Sequence, residues 1–169
     1  MTDQSRERAW GFALFCDDIR TEVGGKLSLM GLYQTDMLFP DSMTLPTLLP
    51  KLVVVIMYFE IRDSIEEDLT FKITYGDEGP ALAEVPVSRK DMLLGQVQNT
   101  ATPESAEDTE QVLNIRMPVT FSPFRLEKMG RLRVRAHYSG GKILRLGSMA
   151  LKQIPAPDFQ AMMGIAPGQ

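Results

Sequence analysis

The sequence predicts an all-β protein: an antiparallel β-sandwich of immunoglobulin-like or C2-like kind, with about eight strands. Three observations predict it. Apolar residues recur with period two over short runs, Gly/Pro-rich turn signals separate the runs, and few segments are long enough for a helix. The chain has 169 residues, 44% hydrophobic and 24% charged, enough to bury a core and too apolar for disorder. Its single cysteine excludes a disulfide scaffold or a cysteine zinc finger.

The elements follow in order. Residues 12–17 and 27–34 make an opening hairpin whose Gly24-Gly25 turn supplies positive φ. Gly31, inside the second strand, marks a bulge or a close backbone approach. Residues 40–50 hold three prolines and read as a surface loop. Residues 51–60 are apolar on both faces, so this strand is expected to be covered on both sides. Leu69, Phe71, Ile73 and Tyr75 alternate with Thr70, Lys72 and Thr74, the pattern of a half-buried strand. Strands 81–87 and 111–119 follow, separated by a short helix at 88–98 and a polar, acidic loop at 99–110. Leu132, Val134, Ala136 and Tyr138 then alternate with Arg131, Arg133, Arg135 and His137, and Ser139-Gly140-Gly141 turns into a last strand, 142–154. The sandwich domain is thus 1–154. Within the tail, 155–169, Phe159, Met162 and Met163 share a helical face and are expected to dock.

Catalytic chemistry finds little support. The only Cys–His pair available is Cys16 with His137. Cys16 sits in an apolar strand, where a thiol is filler, and His137 falls on a surface face. No Gly-x-Ser-x-Gly elbow, P-loop or Gly-x-Gly-x-x-Gly is present. A non-enzymatic protein without cofactor or metal is expected. Calcium is the alternative chemistry, through the acidic loops 63–68 and 76–79. These flank one strand, so they lie roughly 20 Å apart and cannot share an ion. A calcium-dependent, C2-like membrane adaptor is therefore a remote third choice.

Charge is unevenly placed. The net charge is −4, yet residues 116–152 carry nine basic side chains and one acidic one. With a three-residue loop at 139–141, Ala136 faces Leu144, Val134 faces Leu146 and Arg135 faces Arg145. Arg131, Arg133, Arg135 and Arg145 then gather on one surface. Two guanidinium groups about 5 Å apart repel by roughly 0.8 kcal/mol even in water, so an anionic partner is expected. The acidic segment 104–110, from the same chain or a second copy, is the favoured one. Nucleic acid or lipid headgroups are the alternative, weakened because only His137 interleaves as a stacking group. The plain alternative is a solvated face whose arginine stems cover apolar surface.

A second cluster, Asp17, Asp18, Arg20, Glu22 and Lys26, crowds the opening hairpin. Lys26 is expected near Asp17 or Asp18 across the ladder. The cluster reads either as a polar ligand pocket at one end of the sandwich or as a charged turn that fixes register. The 22 residues from Phe12 to Tyr33, with their Cys-Asp-Asp…Gly-Lys…Gly-x-Tyr pattern, resemble the opening of an uncharacterised bacterial domain-of-unknown-function family. The resemblance implies a small β-rich bacterial protein and carries no activity, substrate or catalytic residues.

The expectation is therefore a binding or assembly module whose partner is a protein or a second copy rather than a small molecule. Membrane insertion is not expected, because the longest apolar run, 52–59, is far below the roughly 20 residues needed to span a bilayer. The polar start carries no targeting signal, and a cytoplasmic location is expected.

Overall fold

The computed structural model describes residues 9–77, 79–95 and 111–164. Twelve strands are present among them: β1 (Ala9–Cys16), β2 (Asp18–Thr21), β3 (Leu27–Met30), β4 (Asp36–Pro40), β5 (Thr47–Leu49), β6 (Leu52–Ile61), β7 (Leu69–Tyr75), β8 (Ala81–Val87), β9 (Val112–Phe121), β10 (Phe124–Leu126), β11 (Gly130–Tyr138) and β12 (Ile143–Ile154). Two short α-helices accompany them, α1 (Arg89–Gly95) and α2 (Ala156–Met162), with one 3-10 turn at Arg62–Ser64. One sheet has the order β1-β6-β9 and the other β4-β12-β11-β7-β8, while β2–β3 and β5–β10 form two-stranded ribbons.

The two sheets share one core. Leu52, Val54, Ile56 and Tyr58 of β6 meet Phe71, Ile73, Leu132 and Val134 of the facing sheet, and Tyr58 packs edge-on against Phe71 with ring centroids 5.4 Å apart. The opposite face of β6 is covered too. Val53 and Val55 pack with Cys16, Leu14, Ile19 and Leu29, so the β2–β3 ribbon lies over the outside of the first sheet. That is why the β6 sequence is apolar at both parities.

β9 is an edge strand of its sheet. The Arg62 N–H donates to the Gln111 carbonyl at 2.8 Å, so odd-numbered residues of β9 exchange hydrogen bonds with β6. Pro118 is even, and its missing N–H falls on the open side, where it interrupts no ladder. In α1 the Ser88 hydroxyl accepts from the Asp91 N–H at 3.0 Å and donates to the Asp91 carboxylate at 2.6 Å, capping the helix that buries Met92.

Several expectations are corrected. Among the described residues there are twelve strands rather than about eight, and β4 runs parallel to β12, making that sheet mixed. The strand expected over 27–34 ends at Met30, because Gly31 (φ 66°) turns the chain. Residues 40–50 are not all loop, since β5 pairs with β10. Between β11 and β12, Arg135 does face Arg145 and Ala136 faces Leu144, but a bulge puts Val134 opposite Gly147 instead of Leu146. The cause is the apolar pattern of β12. Buried Leu146 is even, buried Met149 and Leu151 are odd, and one extra residue keeps both sets on the core side. The acidic segment 99–110 lies outside the described residues. Among the described residues, no helix is long and apolar enough to cross a membrane.

Candidate functional site

The residues singled out in the sequence fall into two separate places. At the first, the chain leaves β1 and Asp17 donates its N–H to the Met30 and Gly31 carbonyls at 3.0 and 3.3 Å. The Tyr33 hydroxyl donates to the Asp17 carboxylate, and a Cβ on Gly31 would overlap that same carboxylate. Burial, reinforced by Asp17, raises the Tyr33 pKa and keeps the phenol a donor. Asp18 accepts from its neighbour's Ile19 N–H at 2.8 Å and from Lys51 Nζ at 2.6 Å. The Lys51 hydrogen bond holds the Asp18 carboxyl below the usual carboxylate range.

Lys26 is not the partner of either aspartate. The register sets Asp18 opposite Met30 and Thr21 opposite Leu27, because Ile19 and Leu29 must both face β6. Lys26 is left in the turn, where its carbonyl accepts from the Glu22 N–H at 2.8 Å, and Arg20 is exposed opposite Ser28. Asp17 and Asp18 are thus separated from Arg20 and Lys26. Asp17 and Lys51 instead line a groove of about 580 Å³, with Tyr33, Asp36, Phe39 and Phe159 among its other walls. Phe159 of α2 is half-buried there, whereas Met162 and Met163 line the groove while 56% and 60% exposed. The expected docking of the tail therefore holds for Phe159 and only partly for the methionines.

The second place is the outer face of the five-stranded sheet. Arg133 Nη2 lies 2.8 Å from the Asp77 carboxylate, and Arg135 donates to the other oxygen of the same group. Arg131 Nη1 donates to the Ser148 hydroxyl at 3.0 Å. A cleft of about 330 Å³ opens here, walled by Arg133, Arg135, Arg145, Gly147 and Ser148. The Nε of Arg133 is buried without a hydrogen-bond partner among the described residues. Burial and then Lys72 and Arg135 lower the His137 pKa, which favours its neutral form. The carboxylate that Arg133 and Arg135 share comes from Asp77 in the β7–β8 turn, and Glu84 pairs with Lys72 at 2.9 Å in the same cross-strand row as Arg135. The segment expected to supply a carboxylate, 104–110, lies outside the described residues.

A third polar cluster is buried at the far end of β6. The Tyr58 hydroxyl donates to Glu60 at 2.5 Å and lies 2.8 Å from the Tyr138 hydroxyl. Tyr58 has spent its one proton on Glu60, so Tyr138 is the donor of the second bond. Burial pushes the Glu60 carboxyl up, against the pull of Tyr58 and Lys142. Cys16 and His137 do not meet. Cys16 is fully buried under the β2–β3 ribbon, its thiol pushed up by burial and then by Asp17 and Asp18, and His137 lies on the opposite sheet. No group of three or more His, Cys, Asp or Glu able to hold a metal exists among the described residues.

Sequence reasoning missed Tyr33, Lys51 and Asp77 as site residues. Tyr33 stood within the quoted hairpin pattern and Asp77 within the acidic loop 76–79 read as a calcium candidate. Lys51, and the pairing of Asp77 with the arginines, carried no local signal, being contacts across 33 and 58 positions. Comparison with known proteins finds no matching family model, no matching curated protein and no matching solved structure.

Proposed function

We propose that this protein is a non-enzymatic binding or assembly module, an immunoglobulin-like or C2-like sandwich that holds carboxylates of a protein partner on its arginine face. The partner in view is a second copy of this chain, offering its acidic segment 104–110. One observation carries the reading: Arg133 and Arg135 converge on a single carboxylate, Asp77. The face accordingly sets two guanidinium groups on one carboxylate, one at each oxygen, as charge-assisted hydrogen bonds. Asp77, with Glu84 engaged by Lys72, does not neutralise it, because neither Arg131 nor Arg145 has an acidic partner among the described residues. Arg145 remains exposed beside the cleft.

The test is fluorescence anisotropy with a labelled peptide of residues 103–111. Binding should weaken severalfold between about 50 and 300 mM salt, since exposed charges are screened over roughly a Debye length. Arg145→Glu should weaken it further. An equally tight single-stranded oligonucleotide would favour the nucleic-acid alternative, and no peptide binding at low salt would refute the reading.

A further inference from the structure

We infer that the groove beneath α2 is a second binding site, independent of the arginine face, and that its ligand is an amphiphile carrying a protonated amine on an apolar chain. Its volume of about 580 Å³ lies within the range of small-molecule sites, about 300–1,000 Å³. Apolar side chains dominate the walls: Met37, Phe39, Leu49, Phe159, Met162 and Met163. They suit a hydrocarbon chain, and Met162 at the end of α2 and Met163 just beyond it are unbranched, mostly exposed and able to repack around one.

The charge of the ligand follows from the three ionised groups in the wall. Lys51 is paired with Asp18 at 2.6 Å, and Asp36 with Lys152 at 2.9 Å. Asp17 differs, because the group that holds it is the neutral Tyr33 hydroxyl. The groove wall therefore holds one carboxylate that is oriented, exposed and not matched by a cation among the described residues. Its position is built rather than incidental. Tyr33 grips the carboxylate, Gly31 leaves room for it, and the Asp17 N–H is anchored on β3 and the residue beyond. An ammonium group seated there gains a charge-assisted hydrogen bond that a carboxylate or an alcohol of the same chain length does not.

The experiment follows methionine-methyl NMR signals of the full chain during titration with octylammonium, octanoate and 1-octanol. Octylammonium should shift Met37, Met162 and Met163 saturably while leaving Met92 and Met149, buried elsewhere in the core, in place. Octanoate and octanol should bind at least about tenfold more weakly, and Asp17→Asn should lower octylammonium affinity by about tenfold, the effect of losing one charge-assisted bond. Should Asp17→Asn also move the Met92 and Met149 signals, salt decides on the wild type: added salt must weaken octylammonium and spare octanol. The inference is overturned if octylammonium leaves the groove methionines unmoved, if octanoate or octanol binds as tightly, or if neither Asp17→Asn nor salt changes the preference.

Discussion

Adding one methyl group at Gly31 should be far more damaging than adding it at Gly25, although both glycines have positive φ, 66° and 76°. At Gly25 a Cβ would meet nothing within 4 Å, so Gly25→Ala should cost only the left-handed backbone term, about 1–2 kcal/mol. At Gly31 the same term applies, and the methyl also collides with the Asp17 carboxylate. Moving that carboxylate breaks the bond from Tyr33, and hydrogen bonds to charged groups are worth about 1.5–3 kcal/mol, toward the lower end here because Asp17 is exposed. Gly31→Ala should then cost about 2–4 kcal/mol, which for a chain of this size lowers Tm by about 5–15 °C. The assay is thermal and urea denaturation of Gly25→Ala, Gly31→Ala, Asp17→Ala and the double variant Asp17→Ala/Gly31→Ala. Removing Asp17 removes the collision, so the double variant should cost less than the sum of its parts by about 1–3 kcal/mol. Equal losses at Gly25 and Gly31, or strictly additive losses with Asp17→Ala, would refute the argument.

Two further outcomes follow from the charged groups. The raised pKa of Glu60 means that, just above the unfolded carboxyl range, the folded protein keeps a proton that the unfolded chain has released; stability should therefore fall as pH rises through that window. Urea midpoints measured from pH 4 upward should show this fall in wild type and lose it in Glu60→Gln; an unchanged profile would remove Glu60 as its source. Asp18 shifts in the opposite direction, downward, with Lys51 as the first cause, so carboxyl NMR titration should find the Asp18 pKa raised in Lys51→Met and unmoved in Lys26→Met. A shift in Lys26→Met alone would restore the cross-ladder pairing that the register excludes.

Much of the fold is legible in the sequence because long strands declare a period. β7, β8 and β11 show it, and the two-sided apolar run of β6, which has no alternation, foretells a cover on its outer face, supplied by the β2–β3 ribbon. β5 and β10, at three residues each, are too short for any period to appear. β4 pairs in parallel with β12, more than a hundred positions away, and no local turn signal encodes that. The bulge in β12 was legible: Leu146 against Met149 and Leu151 is a change of parity that a regular strand cannot keep on one face. The site was legible by halves. The alternating arginines of β11 fix their own face, but their carboxylate, Asp77, depends on how the β7–β8 turn folds over the sheet. Likewise Asp18 needs a cation, and only the stacking of the ribbon on β6 makes Lys51 that cation.

The claim that the arginine face captures carboxylates is tested most directly by exchanging charge across the contact. Anisotropy is measured for wild type and Arg145→Glu, each against the acidic peptide 103–111 and a version with its four carboxylate residues replaced by lysine. Wild type should bind the acidic peptide and ignore the basic one at low salt, and Arg145→Glu should weaken the first while gaining affinity for the second. Sedimentation velocity on the full chain should show the matching loss of self-association. Binding of the acidic peptide that is indifferent to Arg145→Glu, with no gain for the basic peptide, would contradict the account.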